Sequence, residues 1–67
     1  MNEFELYSRV RVVTPRFSEQ GVNPGMQGYV IDTYPDGNVE IEVSNPDTGE
    51  TIALFAASPS DLEPDEG

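Results

Sequence analysis

A Pro-Asp-Gly triplet at positions 35–37, set between two runs rich in β-branched and aromatic residues, constrains this chain more than any other feature. The runs are Gly28-Tyr29-Val30-Ile31-Asp32-Thr33-Tyr34 and Asn38-Val39-Glu40-Ile41-Glu42-Val43. Such residues fit a pleated, half-buried surface. The second run alternates strictly, with Val39, Ile41 and Val43 on one face and Glu40 and Glu42 on the other. That is the period of a strand and not of a helix. Proline presets φ for the second position of a type I turn, aspartate suits the third, and glycine accepts the left-handed conformation that follows. Together they close a hairpin with a three-residue loop and a bulge at the glycine.

Loop length sets the register. With Pro35, Asp36 and Gly37 as the loop, Tyr34 pairs with Asn38, Thr33 with Val39, Asp32 with Glu40, Ile31 with Ile41 and Tyr29 with Val43. The inward face is then Tyr29, Ile31, Thr33, Val39, Ile41 and Val43. A two-residue loop would slip the pairing by one and carry Asp32 inward, and an unpaired buried carboxylate costs several kcal/mol. The three-residue loop leaves an outward acidic row, Asp32, Glu40 and Glu42, beside Val30 and Tyr34.

The remaining segments extend the same pattern. Met1 to Tyr7 reads as a lead-in that pairs as an edge strand, and Arg9 to Thr14 as a strand with Val10 and Val12 inward and Arg9 and Arg11 outward, paired with neighbouring carboxylates. Pro15 to Pro24 holds two prolines and a glycine, so no regular element is expected there; Phe17 and Val22 anchor this loop. Gly25-Met26-Gln27-Gly28 forms a tight turn into the hairpin. Thr51 to Ala57 is a further strand with Ile52 and Leu54 as its core pair and Phe55 at an end or across the barrel mouth. Ser58 to Leu62 reads as one helical turn with Ser58 as cap and Pro59 at its first position, Leu62 closing the core. Glu63 to Gly67 is expected to be a frayed acidic tail. Four to five antiparallel strands on tight turns, with no long helix, imply an all-β barrel or roll.

At 67 residues the core is small, and the absence of cysteine removes disulfides and thiolate metal sites. No apolar run approaches the roughly 18 residues of a membrane span, and no signal-peptide pattern opens the chain, so a cytoplasmic location is expected. Thirteen acidic residues face three arginines, with no histidine, for a net charge of −10. The arginines, Arg9, Arg11 and Arg16, all lie early, and no base follows Phe17. Such a surface repels phosphate backbones and attracts a basic partner.

Chemistry-bearing motifs are few. Without histidine, cysteine or lysine, the usual general bases and activated nucleophiles are missing, so no catalytic residue is assigned and no enzyme is expected. Asp32 to Asn38 and Asn45 to Glu50 lack the ligand spacing of calcium loops, and Asp, Asn and Gly are what hairpin turns require. Gly25 and Gly28 are not followed by the helix and lysine of a phosphate loop. Neither a metal nor a cofactor is called for.

Taken together, Gly25-x-x-Gly28-Tyr29-Val30-Ile31, Tyr34-Pro35-Asp36-Gly37, Val39-Glu40-Ile41-Glu42-Val43, Gly49-Glu50-Thr51 and Asp61-Leu62 resemble a family of small bacterial proteins known only as a domain of unknown function. The resemblance runs from about Leu6 to Leu62. It implies an SH3-like barrel, here a single domain over residues 1–67 with one short helical turn near the C-terminus. Some members of that family are encoded beside nuclease toxins, as immunity proteins of contact-dependent inhibition systems. The implied function is therefore that of a non-catalytic acidic binding module that neutralises a basic nuclease toxin, as a monomer that forms a heterodimer with its partner. Asp32, Tyr34, Glu40 and Glu42 are the candidate contact residues. The alternative is a stand-alone SH3-like accessory subunit that docks on a larger enzyme or assembly.

Overall fold

Short alternating runs cut by turn residues become five strands in the computed structural model, which describes residues 4–65. In chain order they are β1 Arg9–Val12, β2 Gln27–Thr33, β3 Val39–Ser44, β4 Thr51–Ala57 and β5 Leu62–Pro64. Every pairing is antiparallel, and the strands form one sheet in the order β4-β3-β2-β1-β5. Pro15–Gln20 and Pro59–Asp61 are 3-10 helices, and no longer helix occurs among the described residues. The expected all-β architecture is thus present, and the helical turn expected near the C-terminus is the second of two 3-10 helices.

The β2–β3 hairpin closes as its turn chemistry requires. Gly37 sits at φ 93°, its N–H donates to Tyr34 O at 3.0 Å, and Tyr34 N–H donates to Asn38 O at 2.9 Å. Asp36 Oδ1 accepts from Asn38 N–H at 2.9 Å, so the aspartate holds the loop with its own side chain. Nothing lies within 4 Å of a Cβ built on Gly37. Gly37→Val therefore acts only through its backbone conformation, and it should lower stability by about 1–3 kcal/mol. Thermal unfolding checks this; a variant that melts with the wild type would show that the loop does not depend on a left-handed residue.

Beyond Asp32 the register departs from expectation. Thr33 faces Val39 and Asp32 faces Glu40, but Val30 then faces Ile41 and Tyr29 faces Glu42, with an irregularity between Val30 and Asp32. Ile31 is the extra residue of a β-bulge, and one extra residue exchanges the two faces of the strand from that point on. Val30 is accordingly fully buried, while Tyr29 is 47% exposed. Ile31 and Thr33 are only half-buried. Tyr29, Ile31 and Thr33 are not core residues, and Val30 is not an outward one.

The core pair of β4 is also different. Val39, Ile41 and Val43 lie opposite Ala57, Phe55 and Ala53, so these three β4 residues share the buried face and Ile52 and Leu54 point out. Every residue from Ile52 to Ala57 is apolar, so alternation within β4 cannot choose the face; its partner strand does. Phe55 lies inside the core, its ring 4.3 Å from that of Phe17 and tilted by 32°.

Three connecting segments complete the core. The lead-in is a turn and not an edge strand: Ser8 Oγ and N–H both donate to Glu5 O, Tyr7 takes φ 66°, and Phe4 is buried. Residues 1–3 of the expected strand lie outside the described residues. The loop after β1 contains a regular element after all. Thr14 Oγ1 accepts from Arg16 N–H, Pro15 opens the 3-10 helix, and left-handed Gly21 ends it. This helix seats Phe17, and Val22 follows it into the core. Finally, the segment after Leu62 is not frayed. It forms β5, with Val10 facing Pro64, Arg11 facing Glu63 and Val12 facing Leu62. Asp65 is 6% exposed, while Glu66 and Gly67 lie outside the described residues.

Candidate functional site

The outer face of β2, β3 and β4 carries the acidic row. Asp32 and Glu40 are direct cross-strand partners, and like charges so placed repel by tenths of a kcal/mol. Asp32 relieves part of this by turning back on the chain, where Oδ1 accepts from Thr33 N–H at 2.8 Å. Tyr34 Oη donates to Glu40 Oε1 at 2.9 Å. The bond to Glu40, loss of solvation and the charges of Glu40, Asp32 and Asp36 all push the Tyr34 phenol pKa up. The hydroxyl thus stays a donor throughout the neutral range. Glu42 lies two residues along the same face, and Thr51 Oγ1 donates to its Oε2 at 3.2 Å.

The fold therefore joins Asp32, Tyr34 and Glu40 in one hydrogen-bonded and electrostatic cluster, and sets Glu42 beside it within a different neighbourhood. Tyr29 and Leu54 flank Glu42 directly on the two adjacent strands, and Leu54 is 53% exposed. Neither neighbour is legible in the sequence: both read as core residues until the bulge at Ile31 and the face of β4 are known. Glu40 and Glu42 are half-buried and not open to solvent as expected, because the side chains of Tyr34, Tyr29 and Leu54 stand beside them.

Toward the β1–β5 edge of the sheet, all three arginines are taken up in ion pairs. Arg11 lies 2.7 Å from Glu63 and 3.4 Å from Asp65, Arg9 lies 3.7 Å from Asp65, and Arg16 lies 3.4 Å from Asp61. Asp65 also accepts from Gln27 Nε2. Asp61 is fixed by Ser58, whose N–H and Oγ both donate to Oδ2, which ties the second 3-10 helix to the first through Arg16. Buried carboxylates need such partners to remain charged. The arginines are structural, and the pairing expected for Arg9 and Arg11 is present.

Asp32, Asp36, Glu40, Glu42, Asp47 and Glu50 consequently make no ion pair among the described residues. Asp36 and the Asn45–Glu50 loop still serve their turns: Asn45 Oδ1 accepts from Asp47 N–H at 2.8 Å, and Gly49 takes φ 79°. No three acidic side chains of the described residues converge as metal ligands. A recess of about 240 Å³ lined by Gly25, Met26, Gln27, Ser44 and Pro46 contains no ionisable side chain. Among the described residues, no helix is long and apolar enough to cross a membrane.

No curated protein and no solved structure matches this chain. One family profile, described as a domain of unknown function (DUF4926), matches residues 6–64. That span takes in all five strands and both 3-10 helices. The chain belongs to the DUF4926 family.

Proposed function

We propose that this protein is a non-catalytic, SH3-like binding module that neutralises a basic protein, and that the partner is a nuclease toxin of the contact-dependent inhibition type. The observation that carries this reading is the separation of charge. All three arginines are engaged by Asp61, Glu63 and Asp65, whereas the acids of the β2–β3–β4 face make no ion pair among the described residues. A face of one sign accelerates capture of an oppositely charged partner and rejects nucleic acid. A nuclease must itself bind a polyanion, so its substrate-binding surface is basic and complementary to this face. The absence of histidine, cysteine and lysine, which removes the usual general bases and activated nucleophiles, supports binding over catalysis.

Asp32, Tyr34, Glu40 and Glu42 form the contact surface in this reading, with Tyr34 as an aromatic anchor of a kind enriched in interface cores. The partner is retrieved by pull-down from the native host, and its association is followed at increasing ionic strength. The rate should fall steeply with salt, because exposed charges are screened beyond roughly 8 Å at physiological ionic strength. Glu40→Lys combined with Glu42→Lys removes the hydrogen bonds from Tyr34 and Thr51 but also the repulsion with Asp32, so stability should stay within about 1 kcal/mol. At low salt its association should be slower by about tenfold or more. Wild-type rate and affinity in that double variant would reduce the acidic row to an ordinary solvated strand face.

A further inference from the structure

The two edges of the sheet are treated differently. β5 is three residues long and contains Pro64 and Glu63, which are the features that discourage a further strand from pairing. β4 is seven residues long, Thr-Ile-Ala-Leu-Phe-Ala-Ala, with no charge, no proline and no glycine. It pairs with β3 on one side and, among the described residues, with no strand on the other.

Hydrogen-bond phase identifies the open groups. Tyr34 and Asn38 are a hydrogen-bonded pair, so two residues on, Asp32 and Glu40 are the next one, and Glu40 directs its backbone to β2. Val39, Ile41 and Val43 then direct theirs to β4, where they meet Ala57, Phe55 and Ala53. The N–H and C=O groups of Leu54 and Ala56 are left on the open edge. Their side chains stand on the outer face, in line with the acids of β3: Leu54 faces Glu42 and Ala56 faces Glu40. Tyr29, opposite Glu42 on β2 and 47% exposed, extends this apolar strip beside the carboxylates.

We propose that the open edge of β4 takes an extended, lysine- or arginine-bearing segment of a partner protein as a sixth strand. Main-chain bonds to Leu54 and Ala56 would hold it, and side chains on alternate positions would read the outer face. Aliphatic stems of lysine or arginine would lie along Leu54 and Ala56 while their charged heads reach toward Glu42 and Glu40. A second copy of this chain fits poorly, since pairing two β4 edges would bring together two such acidic faces, each on a chain of net charge −10. The partner's charge rests on the function proposed above; the addition of a strand is a separate claim.

The test separates the two. Isotope-labelled protein is titrated at low salt with a blocked alternating lysine–valine peptide, and with an analogue of equal charge whose lysines are methylated at the backbone nitrogen, since the residues that pair with Leu54 and Ala56 share their outer face and are the lysines. The first peptide should slow amide exchange at Leu54 and Ala56 by about tenfold or more, and should bind about tenfold more tightly than the second, which lacks those N–H donors. Equal affinity for both peptides without protection at Leu54 and Ala56 would overturn strand addition and leave the acidic docking face standing. Failure of both peptides to bind would remove both claims. Protection at the same two amides that grows with protein concentration alone would overturn the proposal in favour of a second copy on the edge.

Discussion

Gly28→Ala is expected to destabilise the protein by about 2–3 kcal/mol, although removing a glycine from a strand ordinarily stabilises it. Gly28 is buried in β2, opposite Val10 of β1. A Cβ added there would lie 2.8 Å from Glu42 O, 2.8 Å from Ile41 Cγ2 and 3.1 Å from Val43 Cγ2. The side-chain methyls can give way by rotation, but the carbonyl is part of the neighbouring strand and moves only with the β2–β3 ladder. Two glycines three apart thus do different work. Gly25 takes φ 95° with open space around it, so it serves the turn, whereas Gly28 serves close approach of two strands. Denaturant unfolding measures the effect. A Gly28→Ala variant as stable as the wild type would mean that the sheet has slack at its centre.

Ile41→Ala should cost about 2–4 kcal/mol. Ile41 is fully buried on the strand between β2 and β4, where Val30 and Phe55 face it from either side. Truncation removes transfer free energy and leaves a cavity that a sheet pinned on both sides cannot collapse. A domain of this size has a total stability of only about 3–10 kcal/mol by the usual per-residue scale, so the loss is a large fraction of the whole. Each kcal/mol lowers the melting temperature by roughly 4–8 °C in so small a domain. A shift equivalent to less than about half a kcal/mol would remove Ile41 from the core. Because Ile41 Cγ2 is one of the atoms that crowds position 28, the Gly28→Ala, Ile41→Ala double variant should lose less than the two single losses added together.

The same geometry gives the acidic face its form. Strands β3 and β4 bury Val39, Ile41, Val43, Ala53, Phe55 and Ala57 on one side, and this leaves Glu40, Glu42, Leu54 and Ala56 to alternate across the other. The face therefore follows from the core, and its mixture of carboxylates with exposed aliphatic and aromatic groups does not depend on any special loop.

Local chemistry alone determined much of this protein. Pro35-Asp36-Gly37 set the hairpin loop, because only one turn geometry suits that order of residues, and it fixed the pairing of Asp32 with Glu40. The strict alternation of β3 chose its buried face, since a polar residue stood at every second position. Ser58 and Pro59 marked the start of the second 3-10 helix, and the turn residues of 45–50 bounded β4 at Thr51. The candidate residues Asp32, Tyr34, Glu40 and Glu42 all stand on the outer face for these local reasons. Tertiary structure decided the rest. An all-apolar β4 carries no polar marker of its own, and its inward residues were selected only by lying opposite Val39, Ile41 and Val43. The bulge at Ile31 exchanged Tyr29 for Val30 in the core, because an inserted residue leaves no mark in a run where both faces are apolar. The segment after Leu62 became a strand, and Asp61 and Asp65 became buried, because Arg9, Arg11 and Arg16 were waiting there, more than 40 residues away along the chain. Charge partners at such a distance are chosen by the folded sheet, and nothing in the neighbouring sequence announces them.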